Sequence, residues 1–270
     1  MKWLIFFTIY SSLFAQDIIR FSPLPMESAS KTLEIFKPFI EYLEKKSGKK
    51  VKLVYRATNL EIIKGLKNKE IDLAHFGPLP YVILTKEYKD IVPIAQFLEK
   101  NGKNSYTCTL FKRKGAKIDL HKIQNKKFAL THKYSTCGYV FVENILKNYE
   151  STLDNNQFKY LGSHYTAIAD IVTGDYDIGG VKTSIYDKFK YLDVEAIGIG
   201  EENPSLMLVA NSGTLTKEEI SKLQTIITTA SKKDRMDWDV KINSAAKIPD
   251  IQALMEYKQR VENIEIKDEN

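Results

Sequence analysis

Short runs rich in β-branched and aromatic residues alternate along the chain with stretches whose apolar positions recur every three to four residues. Ile18–Phe21, Val51–Tyr55, Leu73–Phe76 and Ile91–Phe97 read as strands, and helical patterns at Ser28–Ser47, Leu60–Lys67 and Leu79–Tyr88 separate them. In the first helix Leu33, Phe36, Ile40 and Leu43 are expected on one buried face, with Gly48 as the C-terminal stop. A second series opens at Tyr106, with strands at Tyr106–Phe111, Phe128–Thr131, Phe158–Leu161, Ile178–Val181 and Ala196–Ile199 and helices at Gly138–Tyr149 and Thr166–Thr173. After a strand-like run at Leu206–Ala210 the pattern is helical at Thr216–Ser231 and Pro249–Val261. Such alternation predicts an α/β protein built on mostly parallel sheets flanked by helices. Leu66–Ala74 and Ile171–Gly179 echo each other: a helix end, a polar turn, then acidic-x-Asp-apolar-small leading into a strand. The echo points to two similar lobes.

The N-terminus has a different character. Lys2, the apolar run Trp3–Tyr10 and the small residues up to Ala15 match a secretory signal, with cleavage expected after Ala15. Gln16-Asp17 ends the run short of the roughly 20 apolar residues a membrane span needs. The mature chain is therefore expected to be exported and soluble. The 43% hydrophobic and 27% charged residues of the full sequence are those of a folded domain, not of a disordered segment. The net charge of +6 is spread through mixed Lys-rich clusters, which argues against a nucleic-acid partner. Two cysteines among 270 residues, without ligand spacing, exclude a disulfide scaffold and a cysteine metal site.

Three loops that follow predicted strands carry chemistry. Tyr134-Ser135-Thr136-Cys137-Gly138-Tyr139 lies between a strand and an apolar helix, so its hydroxyls and free backbone N–H groups are expected to face outward at a positive helix end, where an anion fits. Gly77-Pro78 ends a strand and opens a helix; Pro78 suits the first turn and Gly77 permits close backbone approach. Ser163-His164 opens a further helix and offers an imidazole donor. In open α/β sheets ligands bind at the carboxyl ends of strands, which places all three loops on one cleft side. Each also has a plainer reading: Ser135-Thr136 and His164 as helix caps, Tyr106 as core, Lys182 as a solvated charge. No Gly-x-Ser-x-Gly elbow, P-loop or His-Glu-x-x-His occurs, and Cys137 with His164 can be imagined as a nucleophile and base only because a thiol at a helix N-terminus is acidified. No catalysis and no cofactor are expected.

Glu44–Val51, Ile71–Leu79, Tyr134–Tyr139 and Gly162-Ser163-His164, in this order and spacing, resemble the phosphate/phosphite/phosphonate family of periplasmic substrate-binding proteins. The resemblance implies a two-lobed type II binding-protein fold whose lobes close on an oxyanion, with 16–104 plus 203–270 as the first lobe and 105–202 as the second. It implies ligand contacts from Ser135, Thr136, Tyr106 and His164, with Cys137, Gly138, Tyr134, Gly77, Pro78 and Lys182 beside them. It also implies a monomer that delivers phosphate, phosphite or a simple phosphonate to an inner-membrane ABC permease. The alternative partner is a sensor kinase reading an oxyanion such as arsenate or arsenite. This chain departs from the family's usual pattern at Cys137, where a second serine is common. It departs again at Val181-Lys182-Thr183 and Glu202-Asn203-Pro204, where acidic residues often hold a ligand amine. The second departure disfavours a cationic aminophosphonate and favours a simple inorganic or methylated oxyanion.

Strand periodicity puts Cys108 on the face of Tyr106, within reach of Cys137 in the anion loop. Three states stay open at this point: a disulfide, a dithiol that captures a thiophilic species such as arsenite, and two unpaired thiols.

Overall fold

The computed structural model describes residues 18–25, 28–238 and 245–269, so the expected signal segment 1–15 lies outside the described residues. The first series forms β1 (Ile18–Ser22), α1 (Ala29–Ser47), β2 (Lys50–Leu53), α2 (Asn59–Lys67), β3 (Leu73–Phe76), α3 (Pro78–Glu87) and β4 (Ile91–Phe97). The chain then passes through β5 (Ser105–Tyr106) into β6 (Cys108–Arg113) and β7 (Lys127–Leu130). A π-turn at Thr136–Val140 runs into α4 (Phe141–Asn148), followed by β8 (Gln157–Tyr160), α5 (His164–Thr173), β9 (Ile178–Lys182), α6 (Thr183–Phe189) and β10 (Val194–Ile199). It returns through β11 (Asn203–Pro204) to β12 (Met207–Asn211), α7 (Lys217–Thr228), β13 (Ala246–Lys247) and α8 (Ile251–Val261).

Two sheets result, ordered β13-β4-β12-β3-β1-β2 and β10-β6-β9-β7-β8, and β5 pairs antiparallel with β11 as a small third sheet where the chain crosses. The expectation of mostly parallel sheets is corrected: both are mixed. In the first, β1 runs parallel to β2 and β3, but the returning β12 inserts antiparallel between β3 and β4. In the second, β7 is parallel to β8 and β9, while β6 pairs antiparallel with β9 and β10. The strands that carry the chain between the sheets run against the βαβ direction, which alternation of patterns alone does not reveal. The predicted strand Tyr106–Phe111 is likewise divided at Thr107, its ends serving different sheets.

Local chemistry explains the elements. Ser28 Oγ accepts the Lys31 N–H at the start of α1, and Gly48 (φ 78°) ends it in the left-handed conformation. The buried stripe of α1 is Thr32, Phe36, Phe39, Ile40 and Leu43; Leu33 lies at the stripe's margin and is 49% exposed, against expectation. The two echoing segments form one corner twice. Asp72 accepts the Arg20 N–H and returns its own N–H to the Arg20 carbonyl; Asp177 does the same with Lys127. Lys69 (φ 60°) and Gly174 (φ 87°) make the equivalent left-handed turns.

The first sheet is packed by Phe36, Phe39 and Trp238 on one face and by Ile62, Leu66 and Leu84 on the other. The second sheet's core takes in Leu79 and Val82 of α3 and Tyr257 and Val261 of α8, so α3 and α8 tie the two sheets together. The residues after α8, expected with the first lobe, lie against the second: Tyr139 and Tyr160 donate to the carbonyls of Glu265 and Lys267, and the Lys267 ammonium joins Glu143 and Asp154.

Candidate functional site

Ser135 caps the π-turn, its Oγ accepting the Gly138 N–H at 2.9 Å, which leaves the hydroxyl proton free to donate. The Ser135 carbonyl takes the N–H groups of Tyr139 and Val140, while the amides of Thr136 and Cys137 have no acceptor among the described residues. Two unspent N–H donors and a hydroxyl thus converge at one helix start. Glycine is required at 138 because an added Cβ would stand 1.9 Å from Thr131 Oγ1 and 2.7 Å from the Thr131 nitrogen. The expectation that Thr136 turns its hydroxyl outward is corrected: Thr136 is buried, and its Oγ1 lies 2.9 Å from the Tyr257 hydroxyl of α8. The Tyr106 hydroxyl also hydrogen-bonds the Thr136 side chain, and burial raises the pKa values of both phenols, so they remain neutral donors.

His164 is the first residue of α5, as its motif indicated. Its Nδ1 accepts the Lys182 N–H at 3.4 Å, so the proton of the neutral ring resides on Nε2. Desolvation, with lesser contributions from His132 and Lys182, lowers its pKa to about 3, and the imidazole therefore offers a hydrogen bond and no charge at neutral pH.

Lys182 is not a solvated charge. Its ammonium lies 2.7 Å from Glu99 Oε1 and 4.6 Å from the centre of the Tyr106 ring, with the two charged side chains 15% and 11% exposed. Ser205 Oγ donates to the same Glu99 oxygen at 3.0 Å. Glu99 and Ser205 were not singled out by sequence, because an acidic residue after an apolar strand and a serine before one look like ordinary loop residues.

On the first sheet's side, Pro78 occupies the first turn of α3 and Gly77 its N-cap without a side-chain cap. Gly77 has φ −81°, and a Cβ there would meet only ordinary contacts at 3.7 Å or more, so no close approach within the chain requires glycine. His75, within the Ile71–Leu79 motif, is 1% exposed, edge-on to Phe36 and Phe97, and neither ring nitrogen has a partner among the described residues. Burial and the nearby Lys182 lower its pKa to about 3. Among the described residues the other buried side-chain N or O atoms without a partner are Ser22 Oγ, Asn59 Oδ1 and Thr131 Oγ1. Ser22 ends β1, His75 lies next to the end of β3, and Thr131 follows β7, so unspent polar groups gather at the carboxyl ends of parallel strands in both sheets. Tyr134, partly exposed, precedes the π-turn.

Cys108 and Cys137 are joined by a disulfide, tying the start of β6 to the Tyr134–Tyr139 loop. Closing a loop between residues 29 apart stabilises by about 3–4 kcal/mol in the chain-entropy model. A bonded pair offers no thiol to a thiophilic ligand or to catalysis.

Two helix-flanked mixed sheets joined by paired crossover strands, with donor-bearing loops at their strand ends, make a two-lobed binding protein of the type II periplasmic class. The chain belongs to the family described as "ABC transporter, phosphonate, periplasmic substrate-binding protein", whose model matches residues 21–254. It is similar to the phosphate-import protein PhnD of Mycolicibacterium smegmatis, at 24% identity over 183 residues; the match spans 64% of this chain and 57% of that protein's length. Among solved structures, PhnD1 of Prochlorococcus marinus in complex with methylphosphonate superposes with a TM-score of 0.78 at 16% identity, covering 92% of this chain and 98% of the other. A binding protein component of an ABC phosphonate transporter from Pseudomonas aeruginosa gives 0.74 at 20% identity, covering 92% and 88%.

Proposed function

We propose that this chain captures a phosphate-like oxyanion (phosphate, phosphite or a simple phosphonate) between its lobes in the periplasm, after loss of the N-terminal signal, and delivers it as a monomer to an inner-membrane ABC permease. The observation that carries the reading is the pair of unspent amides at Thr136 and Cys137 beside the free proton of Ser135. An oxyanion of tetrahedral phosphorus has the acceptors these donors need, and the helix start adds favourable potential. His164 Nε2–H supplies a further neutral donor. Lys182 and Glu99 cancel each other's charge, so the donors around the anion are mainly uncharged dipoles. Family membership and the relatives above point to the same ligand class.

Titration of Ser135→Ala with methylphosphonate and phosphate tests the reading. Loss of a hydrogen bond to a charged group is expected to weaken binding by about 1.5–3 kcal/mol. Binding as tight as the parent's for every oxyanion the parent binds contradicts the assignment of Ser135 to the site.

A further inference from the structure

The Lys182 ammonium is met by groups of the kind that recognise an amine. The Glu99 carboxylate meets it at 2.7 Å, the Tyr106 ring face lies 4.6 Å away, and Ser205 Oγ holds the carboxylate from another direction at 3.0 Å. A carboxylate fixed by a hydroxyl, together with an aromatic ring face, is the chemistry that recognises an ammonium group. These groups come from the first sheet's exit (Glu99) and from the crossover (Tyr106, Ser205), whereas the occupant is the last residue of β9 in the second sheet. They adjoin the oxyanion loop: Tyr106 presents its face to Lys182 and stands beside Thr136 of the loop, and the Lys182 N–H binds His164. Without Lys182, Glu99 would present a bare, nearly buried carboxylate to an incoming anion.

We propose that Lys182 is the built-in occupant of an amine subsite and so a specificity-determining residue, restricting the cleft to oxyanions that carry no amine. The proposal rests on the oxyanion reading above. An aminoalkyl phosphonate would bring a second ammonium to a site whose counter-charge is already taken, whereas an alkyl phosphonate meets a neutral pair.

The test titrates the parent, Lys182→Ala and the double variant Lys182→Ala/Glu99→Gln with ethylphosphonate and aminoethylphosphonate. A second arm needs no oxyanion: thermal unfolding of the parent and Lys182→Ala in ethylammonium chloride against equal sodium chloride. The parent is expected to prefer ethylphosphonate by about tenfold or more, Lys182→Ala to invert the preference, and Glu99→Gln to abolish the inversion. Ethylammonium is expected to raise the unfolding temperature of Lys182→Ala and not of the parent. A parent that binds both phosphonates equally, or an alanine variant whose preference matches the parent's, overturns the proposal, as does ethylammonium acting alike on both proteins. If Lys182→Ala does not fold, the parent's preference decides. If the parent binds neither phosphonate, the oxyanion reading fails by itself and the ethylammonium arm decides the subsite.

Discussion

His75 shows how one buried side chain sets a property of the whole protein. With both nitrogens unpartnered between aromatic rings, it is held neutral, its pKa lowered from 6.5 to about 3. Above pH 6.5 neither the folded nor the unfolded chain protonates it. Between 6.5 and 3 only the unfolded chain binds the proton, so stability falls as pH falls through this window; below 3 both states are protonated. From pH 6 to 5 this one residue is expected to remove about 1 kcal/mol. His75→Leu fills a similar volume without an unpaired polar atom and is expected to reduce the pH slope of urea-unfolding free energy by one proton in this window. A slope equal to the parent's contradicts the account of His75. That Tyr134–Tyr139 leads into a helix was legible in sequence, because the residue types and their place before an apolar run are local facts. Glu99 and Ser205 were not, since their meaning depends on a lysine 83 positions from Glu99 arriving from another sheet.

At the scale of elements, the π-turn and the strand end beside it form one unit. Gly138 lies against Thr131, and a Cβ at Gly180 would stand 2.6 Å from the Cys137 carbonyl, so the turn is wedged between β7's end and β9. The disulfide adds a third tie, to β6. Gly138→Ala must therefore displace the turn or Thr131. It is expected to cost about 1–3 kcal/mol of stability, the range for overpacking, and to weaken oxyanion binding in the fraction that stays folded. Denaturant unfolding with parallel titration checks this; an alanine variant with the parent's stability and affinity contradicts the wedge. The sequence pattern placed this helix at Gly138–Tyr149 and its loop before it. That the first turn is a π-turn beginning at Thr136 follows from packing against Thr131, which no periodicity encodes. The antiparallel return of β12 was hidden for a related reason, because an apolar run buried on both faces reads the same in either direction.

Across the whole molecule the same corner occurs in both lobes, each with an aspartate latched to the preceding parallel strand and a left-handed turn before it. This repetition was readable as the echo of two nine-residue segments. What was not readable is how α8 and the residues after it join the lobes, because Tyr257 and Lys267 find partners more than 100 positions away. The donor-bearing loops of the second lobe are linked to the first by that assembly and by the Lys182–Glu99 ion pair. The central claim is that they hold one phosphorus oxyanion. Calorimetric titration of the mature chain with phosphate, phosphite and methylphosphonate tests it most directly: saturable binding of at least one of them at one site per chain is expected, and no binding of any of the three contradicts it.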